Sequence, residues 1–109
     1  MPRILVVDDQ PDSLLAARVA LVDAGHDCVL AADGDRALEL LAAGGFDLLV
    51  IDPAMPLHDG WPVLAAAGDL PVVVVSATAP SGSGRAAHHV TKPFTAASLL
   101  AAVRSVLPG

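Results

Sequence analysis

The sequence predicts a single α/β domain with a five-stranded parallel sheet and helices on both faces. Short apolar runs alternate along the chain with segments of helical spacing, and this alternation is typical of a parallel sheet. The apolar runs are uninterrupted, which indicates strands that are buried on both faces. The chain has 109 residues, which suits one domain over residues 1–109. We expect a doubly wound sheet with the strand order 2-1-3-4-5.

The apolar runs predict strands at residues 3–7, 27–31, 47–51, 71–76 and 88–91. Successive valines in the fourth run favour extended backbone. Helices are predicted at residues 11–24, 34–43, near 60–67, and from 96 to about 107. Asp33 and Thr95 are suitable N-cap residues for the second and last helices. The predicted apolar stripe of the first helix comprises Leu14, Leu15, Val19, Leu21 and Val22.

Composition narrows the classes of protein to which the chain can belong. Its hydrophobic content is 54%, yet no apolar run approaches the roughly 18 residues of a membrane span. The first apolar run is too short for a signal peptide, and the single Cys28 allows no disulfide framework. We therefore expect a cytoplasmic protein without membrane contact. The net charge of −6 argues against direct binding of nucleic acid.

Residues with reactive or ligand-binding side chains lie at the ends of four of the predicted strands. Asp8 and Asp9 come after the first strand, Asp52 after the third, Ser76 closes the fourth and Lys92 follows the fifth. In the predicted strand order the first and third strands are neighbours, and ligands of open α/β sheets bind at the carboxyl edge beside them. We therefore expect the three aspartates to converge on one small volume.

Three clustered carboxylates repel one another unless a cation neutralises them. Mg²⁺ suits such a site because it prefers oxygen ligands and keeps several waters. The set then fits phosphoryl transfer, in which a carboxylate attacks phosphorus while a metal, a lysine and a hydroxyl hold the phosphoryl oxygens. Asp52 is the natural nucleophile, since the adjacent Asp8-Asp9 pair is better placed to hold metal.

At these residues the chain resembles a known family, the CheY-like receiver domains of two-component response regulators. The resemblance covers essentially the whole chain, with the motifs in the family's order. It rests on Val6-Val7-Asp8-Asp9, on Asp52-Pro53-Ala54-Met55-Pro56 with Asp59-Gly60, on Ser76-Ala77, and on Lys92-Pro93-Phe94.

The resemblance implies a role for each matching position. Asp52 would accept a phosphoryl group from a sensor histidine kinase or a phosphotransfer protein. Mg²⁺, or alternatively Mn²⁺, would bind Asp9, Asp52 and the backbone carbonyl of Ala54 directly and Asp8 through water. The resemblance further implies that Ser76 and Lys92 bind the phosphoryl group, that Ser76 and His89 act as switch residues, and that the Lys92-Pro93 bond is cis.

Two features depart from the family pattern. His89 stands where the family usually has Tyr or Phe, so it is either a switch residue or a packed strand residue without that role. Ser76 and Lys92 are only 16 positions apart, which predicts a loop at about residues 77–87 in place of the usual fourth helix. Its loss would uncover one face of the last two strands, where a partner or a second copy forming a homodimer could bind.

We expect a phosphorylation-dependent binding switch rather than an enzyme, with at most self-phosphorylation from small donors and slow autodephosphorylation. Its output would be a downstream protein or a fused domain that the sequence does not identify. Two alternatives remain open. One is a pseudo-receiver, which would act as a protein-interaction module without phosphorylation. The other is a metal-dependent phosphatase, for which Ala54 and the short loops supply neither an acid–base residue nor a cap.

Overall fold

Within the residues that the computed structural model describes, 2–52, 61–76 and 88–107, five parallel strands form one sheet. Their order is β2-β1-β3-β4-β5, which confirms the predicted topology. The central strand, β3, has every residue buried because it has a strand on each side and helices on both faces. The strands are β1 (Arg3–Val7), β2 (Asp27–Ala31), β3 (Leu48–Ile51), β4 (Val72–Ser76) and β5 (His88–Thr91).

Four helices lie in the described part of the chain: α1 (Pro11–Asp23), α2 (Gly34–Ala43), α3 (Trp61–Ala66) and α4 (Ala96–Val106). The predicted bounds of strands and helices differ from these by no more than one residue. The loop predicted at residues 77–87 lies outside the described residues. Within the described ranges, no helix has both the length and the apolar character needed to cross a membrane.

The sheet separates two apolar clusters. Ile4 and Val6 of β1 pack with α1 and α4, whereas Leu5 and Val7 pack with α2 and α3. Successive side chains of a strand point to opposite faces, so a strand between two helical layers needs apolar residues throughout. This requirement is the physical reason for the uninterrupted apolar runs of the sequence.

The predicted N-caps of α2 and α4 are both present. The Asp33 carboxylate accepts a hydrogen bond of 2.8 Å from the Arg36 amide. Thr95 and Ser98 form a reciprocal capping box, in which the side chain of each accepts the other's amide at 3.0 Å. Such caps satisfy amides that the helix itself leaves without partners. The Thr95 cap fixes the start of α4 close to Lys92.

The predicted apolar face of α1 was wrong in part. Leu14 and Leu21 are buried as expected. Leu15, Val19 and Val22 are instead 60%, 53% and 49% exposed, and the buried positions between the leucines are alanines. Small side chains let the helix approach the sheet closely, so Ala17 and Ala20 form the packed face and the larger residues point outward.

Candidate functional site

The predicted site residues meet at the carboxyl edge of the sheet. Val7 pairs with Ile51 in the register of β1 and β3, so Asp8 and Asp52 follow the two strands at the same level. The Asp52 amide donates to the Val7 carbonyl at 3.0 Å, and the Lys92 amide donates to the Ser76 carbonyl at 2.9 Å. Backbone hydrogen bonds thus continue past the strands and hold these residues in place.

The Lys92 ammonium group is the centre of this site. It donates to Asp8 Oδ2 at 2.7 Å and to Asp52 Oδ2 at 2.8 Å. A third hydrogen bond, of 3.0 Å, goes to Gln10 Oε1. The side chains of Lys92, Asp8 and Asp52 are only 9%, 5% and 11% exposed. Since an ammonium has three N–H groups, these three bonds use all of its donors.

Burial and charge act against each other on these groups. Burial raises the pKa of Asp8 above its ordinary value, and the hydrogen bonds from Lys92 and the Gln10 amide offset this only in part. Burial by itself lowers the pKa of Lys92, but hydrogen bonds to Asp52 and Asp8 reverse the effect and raise it. Lys92 is therefore positively charged at neutral pH, and the Asp8 carboxylate retains a cost of burial that further positive charge would relieve.

The carboxylates have the arrangement of a cation site. Asp8, Asp9 and Asp52 each offer an oxygen atom, and these atoms lie within 4.8 Å of one another. Asp9 is exposed, so a hydrated ion can reach it from solvent. Lys92 brings one positive charge to three carboxylates, and a hard divalent ion such as Mg²⁺ fits this donor set. Ala54, whose carbonyl is the other predicted ligand, lies outside the described residues.

The remaining predicted residues lie on the last two strands. Ser76 is 4% exposed at the end of β4. His89 pairs with Val74 in the register, which puts it on the α2–α3 face. Its Nε2 is buried and has no hydrogen-bond partner among the described residues. The Lys92-Pro93 peptide bond is cis, as expected. The two roles considered for His89, switch residue and packed strand residue, stay predictions.

Gln10 is the residue that the sequence analysis missed. It occupies the N-cap position of α1, but its side chain makes no cap hydrogen bond and reaches Lys92 instead. Beside this contact is an open cavity of about 360 Å³, lined by Gln10, Ser13, Lys92 and Phe94 among others. In the sequence, Gln10 stands directly after the Asp8-Asp9 pair and before Pro11. This position could have indicated a role at the site, but the start of a helix explains it equally well.

Known proteins share this fold and sequence pattern. A family model described as "Response regulator receiver domain" matches residues 4–104. The response regulator MprA of Mycobacterium ulcerans is 40% identical over 96% of this chain and 50% of its own length. The transcriptional activator protein IrlR of Burkholderia pseudomallei is 34% identical with the same two coverages. The chain therefore spans about half the length of these relatives.

Solved structures agree over nearly the whole chain. The chemotaxis protein CheY4 of Vibrio cholerae is similar with a TM-score of 0.89 and 25% identity, covering 98% of this chain and 99% of that one. The response regulator protein TrrA of Thermotoga maritima, solved in complex with Mg²⁺ and BeF, has a TM-score of 0.88 and 29% identity, covering 98% of this chain and 100% of its own.

Proposed function

Because the chain belongs to the family of response regulator receiver domains, which act in phosphoacceptor signalling, we propose that it receives a phosphoryl group on Asp52 from a histidine kinase and thereby switches its binding to a downstream partner. The observation that carries this proposal is the contact of Lys92 with Asp52 at 2.8 Å and Asp8 at 2.7 Å at the edge where ligands of such sheets bind. A lysine in this position is ready to contact a phosphoryl group attached to Asp52.

In the proposed transfer, an Asp52 carboxylate oxygen attacks the phosphorus of a phosphohistidine. The new O–P bond forms as the P–N bond breaks, and its electron pair returns to the imidazole of the donor. The Lys92 ammonium and the Ser76 hydroxyl donate hydrogen bonds to phosphoryl oxygens. Asp9, Asp52 and the Ala54 carbonyl, with Asp8 through water, would hold Mg²⁺, which would neutralise the charge of the phosphoryl group. The Mg²⁺–BeF complex of the similar TrrA supports this part of the proposal.

Phosphorylation adds about −1.5 to −2 charge at Asp52. The Lys92 ammonium then moves its donors toward the phosphoryl oxygens, and we infer that Ser76 and His89 adjust with it. His89 is suited to such a change because its buried Nε2 has no hydrogen bond to another residue in the described ranges. Turnover is limited to self-phosphorylation from small donors and slow self-hydrolysis, so the domain acts as a switch and not as an enzyme.

The proposed partners are a sensor histidine kinase or phosphotransfer protein and an output module. The relatives named as transcriptional regulators support an output module, either fused or separate, because this chain spans only half of their length. The homodimer remains a prediction, since the face it would use depends on residues 77–87.

Incubation with Mg²⁺ and acetyl phosphate, followed by intact-mass measurement, tests the proposal. We expect the mass of one added phosphoryl group on the wild type and none on Asp52→Asn. Asp27→Asn is the matched control, because Asp27 is an exposed aspartate at the first residue of β2, away from the carboxyl edge. It should behave as the wild type. A wild type that forms no adduct and binds no beryllofluoride with Mg²⁺ would instead be a pseudo-receiver.

A further inference from the structure

Gln10 is in contact with both halves of the charged cluster. Its backbone amide donates to Asp8 Oδ1 at 3.0 Å. Its side-chain Oε1 accepts from Lys92 Nζ at 3.0 Å and from the Ser13 hydroxyl at 3.3 Å. Any residue except proline at this position keeps the backbone bond. A substitution therefore isolates what the side-chain oxygen does for Lys92.

The three acceptors of the Lys92 ammonium differ in strength. Asp8 and Asp52 are charged and nearly buried, so their hydrogen bonds are short and strong. The Gln10 amide oxygen is neutral and exposed, which makes its hydrogen bond the weakest of the three. Of the three N–H groups, the one bonded to Gln10 is thus the easiest to transfer to another acceptor.

That hydrogen bond also lies beside an open cavity. Gln10 and Lys92 both line the open cavity of about 360 Å³, together with Ser13 and Phe94. A lysine side chain is a flexible four-carbon stem. Within the described residues, the Gln10 oxygen is the third acceptor of the ammonium and orients its remaining N–H. The Gln10 oxygen supplies that orientation without adding negative charge to an acidic site.

We propose that Gln10 is a positioning residue for Lys92: it holds the third ammonium N–H toward the opening and yields it to a phosphoryl oxygen on Asp52. The proposal rests on the phosphoacceptor function proposed above. It makes Gln10 act through Lys92 alone. Because the bond to Gln10 exists only before the phosphoryl group binds, its loss removes a competing acceptor, strengthens recognition of the phosphoryl group and leaves the metal-binding carboxylates unaffected.

Beryllofluoride, which stands in for a phosphoryl group, provides the test. Gln10→Met keeps the length of the side chain and removes the acceptor oxygen. From the strength of a partly exposed hydrogen bond to a charged group, we expect its beryllofluoride affinity in saturating Mg²⁺ to rise about three- to ten-fold, since no bond to Gln10 is given up on binding. Its Mg²⁺ affinity measured without beryllofluoride should stay within about two-fold, because in the described part of the chain the hydrogen bonds of the Gln10 side chain go to Lys92 and Ser13 and not to the three carboxylates.

Leu15→Met is the matched control, since it introduces the same residue on the same helix at a side chain that is 60% exposed. It should bind beryllofluoride as the wild type does. The proposal is overturned if Gln10→Met binds beryllofluoride no more tightly than the wild type, or if its Mg²⁺ affinity rises by the same factor. Failure of the wild type to bind beryllofluoride would instead refute the phosphoacceptor function itself.

Discussion

Replacing Lys92 with methionine removes the ammonium that Asp8 and Asp52 share and keeps most of the apolar stem. Both carboxylates then remain in a site where the wild-type side chains are only 5% and 11% exposed. Removing one partner of a buried ion pair typically costs about 3–5 kcal/mol, because the other charge stays buried without compensation. In the absence of metal, the variant should therefore unfold more easily than the wild type.

Protonation of one of the two carboxylates sets an upper limit to the stability that the variant loses. Protonating a carboxyl with an ordinary pKa of 3.8 costs about 4–5 kcal/mol at pH 7 and about 1–2 kcal/mol at pH 5, at about 1.4 kcal/mol per pH unit. Burial already raises the pKa of Asp8, and loss of the Lys92 hydrogen bond raises it further. A folded-state pKa above the unfolded value favours folding as the pH falls. The variant's deficit should thus shrink from about 3 kcal/mol at pH 7 to about 1 kcal/mol at pH 5.

Urea unfolding in EDTA at pH 7 and pH 5 measures both values. Arg104→Met is the matched control, because it removes an exposed cation from the last turn of α4 and should have a small effect at either pH. A Lys92→Met protein as stable as the wild type at pH 7, or equally destabilised at both pH values, would refute the reasoning. The same variant should bind Mg²⁺ more tightly than the wild type, since Lys92 no longer competes for the carboxylates.

Three further changes have defined outcomes. Asp9→Asn should lower Mg²⁺ affinity about ten-fold or more, because Asp9 offers one of the three clustered oxygens. Calorimetric titration with Mg²⁺ measures this loss, and Asp12→Asn, which changes an exposed aspartate in the first turn of α1, is the control. Thr95→Ala should lower the free energy of unfolding by about 1 kcal/mol through loss of the α4 cap, whereas Thr95→Ser should retain most of it in urea unfolding. Removing Mg²⁺ with EDTA should abolish beryllofluoride binding, and ¹⁹F NMR that still detects bound fluoride would contradict the proposed metal role.

Much of the fold could be predicted because local patterns and tertiary contacts agree. Valines 72–75 form a strand that is buried on both faces, as their β-branched character favours. Asp33 and Thr95 cap helices because an N-cap is a local interaction between residues three positions apart. The α1 face was only partly predictable, because Leu15 and Val19 are as apolar as the buried leucines and only packing against the sheet selects Ala17 and Ala20.

The sequence by itself determined which chemical groups end the strands, since Asp8, Asp52, Ser76 and Lys92 each follow or close an apolar run. Strand order and register decided that Lys92 reaches residues 40 and 84 positions away, Asp52 at 2.8 Å and Asp8 at 2.7 Å. Gln10 shows most clearly the difference between what the sequence determines and what the tertiary structure decides. Its contact with Lys92 spans 82 positions, and nothing local favours it, because a helix N-terminus would normally engage that side chain. Only the parallel sheet, which brings the ends of β1 and β5 to one edge, puts the third acceptor beside the ammonium.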